Sequence, residues 1–259
     1  MPTKEMDDPY YGRLDFDEPS HTYYIDGRVV RRSVSAVWGS FFPEFNAEEV
    51  IEKYFGRWAS NPSSAYFELI QATPGSDEEK KKAIVTLWAE RGAEASRLGT
   101  LLHAEIETSL LGTEPPLLSV EFGHYRRWRA EIASTWTLLK TEWRVYHAAT
   151  DTAGSIDSLW RTPSGETIIA DWKRCGAGKL AKKAFRGQTG SGPCECIEDS
   201  PFGHYTCQQI LYATILADGY NLVVDRALLV QLHPEGATYQ QFEVELDLDL
   251  GRRMLAAER

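Results

Sequence analysis

The stretch that decides the fold is residues 142–173, which read EWRVYHAATDTAGSIDSLWRTPSGETIIADWK. Val145 lies in a run of β-forming residues, and similar runs cover residues 155–161 and 167–173. Between the last two runs stands Pro163-Ser164-Gly165, whose residue types favour a turn. The stretch therefore predicts three consecutive antiparallel strands.

Carboxylates and an amine stand at the ends of these strands. Asp157 follows the small segment 154–156, and the apolar residues 168–170 lead directly into Asp171 and Lys173. Side chains two positions apart on a strand point to the same face, so Asp171 and Lys173 are expected side by side. Carboxylate oxygens suit Mg²⁺ or Mn²⁺. A neighbouring lysine can orient or deprotonate a water that attacks a phosphate, or stabilise transition-state charge.

Several sequence pieces carry a resemblance to a known family. Gly154-Ser-Ile-Asp157 followed by Asp171-Trp-Lys173 resembles the PD-(D/E)xK nuclease motif. Upstream, Gly99-Thr-Leu-Leu-His103-Ala-Glu-Ile-Glu107 is similar to the family's helical G-x-x-x-H-x-x-x-E, and downstream Gln208-Gln-Ile-Leu-Tyr212 is similar to its Q-x-x-x-Y helix. In this order they resemble the RecB-like exonuclease branch, which includes the mitochondrial genome maintenance exonuclease and proteins of large DNA viruses. Residues 21–35 also resemble the opening of the viral relatives.

The resemblance implies a fold and an activity. The fold is mixed α/β (α+β), a restriction-endonuclease-like αβββαβ core with an N-terminal helical addition. The activity is that of a deoxyribonuclease with Mg²⁺ or Mn²⁺ as cofactor, most often an exonuclease on single-stranded or frayed DNA ends. DNA is the implied partner, together with replication or recombination proteins. A structure-specific endonuclease, a nucleic-acid-binding module that no longer cuts and a structural subunit of a helicase–nuclease machine remain alternatives.

Site roles follow from the same resemblance. The residues implied in catalysis are Asp157, Asp171, Lys173, Glu142, Gln208 and Tyr212. The metal ligands implied are His103, Asp157, Asp171 and the backbone carbonyl of Trp172. Glu107 would hydrogen-bond His103 or a lysine. These residues also have structural alternatives. Asp157 and Asp171 could be turn and strand-end carboxylates, and Lys173 a surface lysine with a buried stem. Glu142 could be a solvated strand residue, His103 a core or surface residue, and Gln208 with Tyr212 a packing pair.

Neighbouring residues receive weaker expectations. Glu105 is predicted to face solvent, and Gln209 is an alternative to Gln208 that does not stand four residues before Tyr212. Candidate contacts to nucleic-acid phosphates are the basic residues Lys179, Lys182, Lys183, Arg186 and Arg97, although such a run can also be a solvated loop face. Arg126-Arg127-Trp128-Arg129 is a weaker candidate, with Trp128 predicted in the core.

Composition sets further bounds. The chain has 259 residues, 42% of them hydrophobic, and a formal net charge of −10. That charge argues against broad, non-specific coating of nucleic acid, but it is compatible with a local basic groove beside an acidic metal site. No apolar run reaches membrane-spanning length, and the N-terminus is too acidic for a signal peptide. A cytoplasmic, nuclear or virus-associated location is therefore expected.

The cysteines cluster late in the chain, at Cys175, Cys194, Cys196 and Cys207. The Cys-x-Cys spacing is not that of a zinc knuckle. Iron–sulfur clusters of the RecB-like branch use a distant upstream cysteine, which this sequence lacks. Reduced free thiols are therefore predicted.

Three regions are predicted along the chain. Residues 1–20 form a loosely ordered acidic N-terminus, residues 21–90 a hairpin and helical addition, and residues 91–259 the nuclease core. Within the core we expect a helix over 120–139, an unusually long loop over 174–200, a helix over 205–217 and an apolar strand over 222–232.

Overall fold

The computed structural model describes residues 8–115, 119–176, 178, 180 and 187–257. They form a mixed structure of helices and sheets, which confirms the predicted α+β class at this level. The chain divides into two compact units. The larger unit comprises Met1–Pro43 and Leu102–Arg259, and the smaller unit comprises Glu44–Leu101.

The larger unit contains two sheets. The small sheet has the strands β1 (Leu14–Asp17), β2 (Thr22–Ile25) and β3 (Arg28–Val29). The strands of the main sheet are β4 (Arg32–Ser33), β5 (Thr137–His147), β6 (Thr152–Arg161), β7 (Thr167–Lys173), β8 (Arg226–Gln231) and β9 (Gln240–Val244). Strands β5, β6 and β7 are consecutive and antiparallel, as predicted, and β8 adds to β7 in parallel.

The helices of the described residues are α1 (Val34–Gly39), α2 (Ala47–Ser60), α3 (Phe67–Ala72), α4 (Asp77–Leu110), α5 (Val120–Glu131), α6 (Pro201–Tyr220) and α7 (Leu248–Ala256). Side-chain caps start several of them. Ser33 accepts a hydrogen bond from the Ala36 amide, and Asn46 accepts one from the Glu49 amide. No described helix combines the length and the apolar character that crossing a membrane requires.

The observed division differs from the predicted regions in where the smaller unit begins and ends. The hairpin of β2 and β3 belongs to the larger unit, because Leu14, Ile25 and Val30 are buried against Tyr146 and Ala153 of the main sheet. Residue 90 is not a boundary either, because the smaller unit continues to Leu101.

The predicted helix over 120–139 is too long. Helix α5 ends at Glu131, and Thr137 already pairs with Arg161 as the first residue of β5. The apolar spacing of Ile132 and Trp136 continues the helical pattern, but pairing with β6 satisfies the backbone of the following residues. The predicted strand over 222–232 is also shorter in the structure and begins at Arg226.

Two core clusters cover the two faces of the main sheet. Along β7, Ile169 belongs to the cluster that includes residues of α6, whereas Ile168, Ala170 and Trp172 belong to the cluster that includes Trp128 of α5. This alternation places Asp171 and Lys173 on the α6 face and confirms the expected strand pattern. Trp128 is fully buried, as predicted.

Candidate metal centre

Strands β5 and β6 place two carboxylates opposite each other. Thr141 pairs with Ser158 and Trp143 pairs with Ile156, so Glu142 lies across from Asp157. Glu142 has a φ of 42°, in the left-handed region that residues other than glycine rarely adopt. Such a conformation costs about 1–3 kcal/mol and persists only where the surroundings impose it, which is frequent at functional sites.

His103 of α4 meets these carboxylates at the end of β7. Its Nε2 lies 3.0 Å from the carbonyl oxygen of Trp172. Its Nδ1 lies 3.4 Å from Oε1 of Glu142 and 3.7 Å from Oδ2 of Asp157. Ligand atoms of His103, Glu142 and Asp157 all lie within 4.8 Å of one another, which is close enough to share one metal ion.

The donor set fits a divalent cation. Two carboxylates and a backbone carbonyl are ligands that Mg²⁺ and Mn²⁺ prefer, whereas an imidazole is more common with later transition metals. The mixed set therefore suits Mn²⁺ better than Mg²⁺. Backbone geometry supports the arrangement, because the Trp172 amide donates a hydrogen bond of 2.8 Å to Oδ2 of Asp157.

The electrostatics of His103 point to the same conclusion. Burial alone would lower the pKa of His103, but the carboxylates of Asp157 and Glu142 raise it to about 9. The metal-free ring is therefore protonated at neutral pH and supplies the positive charge that these acceptors attract. A divalent ion would take over this role with a neutral imidazole as ligand.

Asp171 lies beside this group and is engaged differently. It is 1% exposed, its Oδ2 lies 2.6 Å from Nζ of Lys173, and its Oδ1 accepts a hydrogen bond of 2.9 Å from Gln209. Burial and the charge of Asp157 raise the pKa of Asp171 to about 6, against the opposing effect of Lys173. In this structure Asp171 holds Lys173 and does not belong to the His103–Glu142–Asp157 group.

Lys173 is fixed by α6. Its Nζ donates to Oε1 of Gln208 at 3.3 Å and lies 4.4 Å from the centre of the Tyr205 ring. Gln208 donates in turn to the Tyr212 hydroxyl at 3.4 Å. Burial would lower the pKa of Lys173, but Asp171 and Asp157 raise it, so the side chain is a cation at neutral pH. This charge state suits orienting a water or stabilising negative charge, not removing a proton.

Most sequence-predicted site residues thus come together in the larger unit. The structure joins His103, Glu142 and Asp157 in one cluster, with the Trp172 carbonyl at the other ring nitrogen of His103. Asp171, Lys173, Gln208 and Tyr212 form a connected chain of polar contacts beside it.

Two residues of the site, Tyr205 and Tyr23, were missed, and a third, Gln209, was ranked below Gln208. Gln209 bonds Asp171, Tyr205 covers Lys173, and Tyr23 lies near the carboxylates. Burial raises the pKa of Tyr23 to about 12; Arg144 opposes this effect and the charges of Glu142 and Asp157 add to it. Adjacent glutamines on a helix facing two strand residues could have indicated Gln209, whereas no sequence signal places Tyr23 here.

Other predicted residues fall elsewhere. Glu107 is half-buried, and within the described ranges its side chain has no hydrogen bond to His103 or to a lysine. Arg97 lies in the smaller unit, exposed, and pairs with Glu94 at 2.8 Å. Four predicted phosphate contacts lie outside the described residues: Lys179, Lys182, Lys183 and Arg186.

The prediction for Glu105 was wrong. Glu105 is 2% exposed and accepts hydrogen bonds from the Ser119 amide at 2.9 Å and from the Ser119 hydroxyl at 2.6 Å. Ser119 caps α5, so Glu105 joins the end of α4 to the start of α5. This bond partner is fourteen positions away and could not be read from helix spacing.

Replacing Glu105 by alanine is expected to lower the free energy of unfolding by about 1–3 kcal/mol, because both Ser119 donors lose their acceptor. Urea unfolding followed by circular dichroism measures this loss. Glu107→Ala, on the same helix, is the control and is expected to change stability by no more than about 0.5 kcal/mol. Equal losses in both variants would contradict the assigned role of Glu105.

Gly154 makes room for Tyr212. A Cβ at position 154 would lie 2.7 Å from Cε1 of Tyr212 and 2.9 Å from Cγ2 of Val34. Gly154→Ala is therefore expected to destabilise the protein by about 1–3 kcal/mol and to displace Tyr212 from Gln208. Thermal unfolding measures the effect. Gly123→Ala has open space around its Cβ and is expected not to destabilise the protein; a harmless Gly154→Ala would refute the packing argument.

Comparisons with known proteins give little information about this chain. No protein-family model matches the chain, and no curated protein matches it. A crystal structure of a protein called SSO0001 is similar to it with 14% sequence identity over 82% of this chain and 84% of that chain, at a TM-score of 0.32.

Proposed function

We propose that this chain is a metal-dependent deoxyribonuclease of the PD-(D/E)xK superfamily, in its RecB-like branch. The observation that carries the proposal is the convergence of His103, Glu142 and Asp157 at a site where the charge of Lys173 acts on both His103 and Asp157. The order α5, β5, β6, β7, α6, β8 supports a restriction-endonuclease-like αβββαβ core.

The residues divide the chemistry among them. His103, Glu142, Asp157 and the Trp172 carbonyl would hold the metal. A bound Mn²⁺ or Mg²⁺ supplies Lewis acidity toward the scissile phosphate and lowers the pKa of a coordinated water. Lys173 places a fixed positive charge where negative charge develops on the phosphate during hydrolysis.

Lys173 needs polar partners, because its side chain is flexible and removing its ammonium group from water is costly. Asp171 neutralises it at 2.6 Å, and Gln208 accepts one of its hydrogen bonds. Gln209 donates a hydrogen bond to Asp171, and Gln208 donates one to the Tyr212 hydroxyl. These contacts keep the Lys173 side chain oriented before substrate arrives, which is the condition for electrostatic catalysis.

The test is a cleavage assay on four substrates: end-labelled single-stranded DNA, linear duplex DNA, closed circular DNA and single-stranded RNA. Each is incubated with Mn²⁺, with Mg²⁺ and with EDTA. Progressive shortening of linear DNA with circles spared is the result expected of an exonuclease, and the labelled end gives its polarity. Cleavage of circles would instead indicate an endonuclease. No cleavage of any substrate with either metal would overturn the proposal.

A further inference from the structure

A shallow pocket lies in the larger unit, on the α5 face of the main sheet and opposite to the α6 face that holds Lys173. It has a volume of about 390 Å³ and is lined by Ser109, Tyr125, Arg126, Arg129, Ala130 and Ser134. None of these six lining residues is acidic, in a chain whose formal net charge is −10. Four of them occupy neighbouring positions on one face of α5.

Arg129 brings a poorly neutralised charge to this pocket. Its guanidinium carbon lies 4.8 Å from the centre of the Trp160 ring, and its Nη2 donates a long hydrogen bond of 3.5 Å to the Trp136 carbonyl. Within the described part of the chain, no carboxylate lies within ion-pair distance of Arg129. Stacking on Trp160 orients the guanidinium without neutralising its charge.

Arg126 adds a second guanidinium at the solvent side. Its side chain is 61% exposed, and its ion pair with Glu114 is long, at 3.9 Å, between two exposed groups. Such a pair contributes little and yields readily to another anion. The adjacent Arg127 is different, because it is not part of the lining and pairs with Glu131 at 2.7 Å.

Three hydroxyl groups complete the lining. The side chains of Ser109, Tyr125 and Ser134 make no hydrogen bond to any other described residue. All three hydroxyl groups are therefore available as donors to a bound anion.

We infer that this pocket binds a phosphate-class oxyanion, held by Arg126 and Arg129 and by the hydroxyls of Ser109, Tyr125 and Ser134. Guanidinium groups match the geometry of phosphate oxygens and can bind them through two parallel hydrogen bonds. The anion is either a free phosphate group, as in inorganic phosphate or a mononucleotide, or a backbone phosphate of a nucleic-acid strand. The Tyr125 ring lies 5.2 Å from the Trp172 ring, on the sheet face opposite to α6.

Calorimetric titration of the full chain in EDTA with inorganic phosphate tests the inference. Wild type is expected to show saturable binding. Arg126→Ala is expected to weaken it by about tenfold or more, as loss of a charged hydrogen bond predicts. Arg126 is exposed, so this variant retains the fold. Arg127→Ala is the matched control with the same charge change and is expected to bind phosphate like the wild type.

A Lys173→Met background separates this pocket from the candidate metal centre, because phosphate bound at Lys173 would be lost there. A second titration, with a short single-stranded DNA lacking a terminal phosphate, distinguishes the two sources. Weaker binding of this DNA by Arg126→Ala indicates strand phosphates, and an effect on inorganic phosphate alone indicates a free phosphate ligand. No saturable binding by wild type, or equal affinities of Arg126→Ala and Arg127→Ala, would overturn the inference. Neither outcome depends on cleavage, so an inert enzyme would leave this test unaffected.

Discussion

Lys173→Met is expected to slow DNA cleavage by about 10²–10³-fold, the effect typical of removing one electrostatic stabiliser from an active site. The ammonium group is the one cation of the hydrogen-bond chain that runs from Gln209 through Asp171 to Gln208. Methionine keeps much of the volume and removes the charge. Single-turnover cleavage of end-labelled single-stranded DNA with saturating Mn²⁺ measures the loss without interference from product release.

The control for this variant is Lys53→Met, which makes the same charge change at an exposed position of the smaller unit. It is expected to cleave at the wild-type rate. A Lys173→Met protein that is folded and cleaves as fast as Lys53→Met would show that Lys173 has no catalytic role.

Lys173→Met is also expected to change how the stability of the protein depends on pH. Removing Lys173 leaves Asp171 buried without its cation, and the pKa of Asp171, already raised to about 6, is expected to rise further. When a carboxyl group has a higher pKa in the folded than in the unfolded protein, the free energy of unfolding falls as the pH rises from the unfolded pKa to the folded pKa. The variant is therefore expected to be destabilised more at pH 8 than at pH 5, relative to wild type in EDTA.

Local sequence patterns predicted the framework of this site well. The continuous apolar run before Asp171 predicted a strand, and the turn at Pro163-Ser164-Gly165 predicted its pairing with the preceding strand. Helix caps such as Ser33 and Asn46 depend on contacts three residues away, so they too can be read from sequence. In each case the stabilising interaction is short in range.

Features that depend on distant partners could not be predicted. Glu142 has a left-handed backbone between two residues that pair with β6, and glutamate has no intrinsic preference for this conformation. Glu105 is buried because Ser119 supplies two donors, and Gln209 faces the site because Asp171 occupies the opposing strand. Helical spacing alone predicted that Glu105 faces solvent and favoured Gln208 over Gln209 as the site residue. Tertiary hydrogen bonds fix the positions of Glu105 and Gln209.

Asp157→Asn is expected to abolish the stabilisation of the protein by Mn²⁺. A metal at a hundred times its dissociation constant stabilises a folded protein by about 2.7 kcal/mol. Loss of groups that merely orient ligands lowers metal affinity about 10–100-fold, so loss of a ligand charge is expected to exceed this range. Thermal unfolding at increasing Mn²⁺ concentrations measures the shift, with Asp249→Asn as an exposed control for the same chemical change.

The metal-free comparison makes this prediction specific to a binding site. Burial raises the pKa of Asp157, which means that the folded protein holds this carboxylate at a cost. Asparagine removes the charge and keeps an oxygen that can accept the Trp172 amide, whose bond to Asp157 is 2.8 Å. In EDTA the variant should therefore unfold at the same temperature as wild type or higher. A structural carboxylate would give the opposite pattern: Asp157→Asn would be less stable in EDTA, and Mn²⁺ would shift variant and wild type equally or not at all. Only at a metal ligand does loss of the carboxylate charge remove the stabilisation by Mn²⁺ without lowering the stability of the metal-free protein.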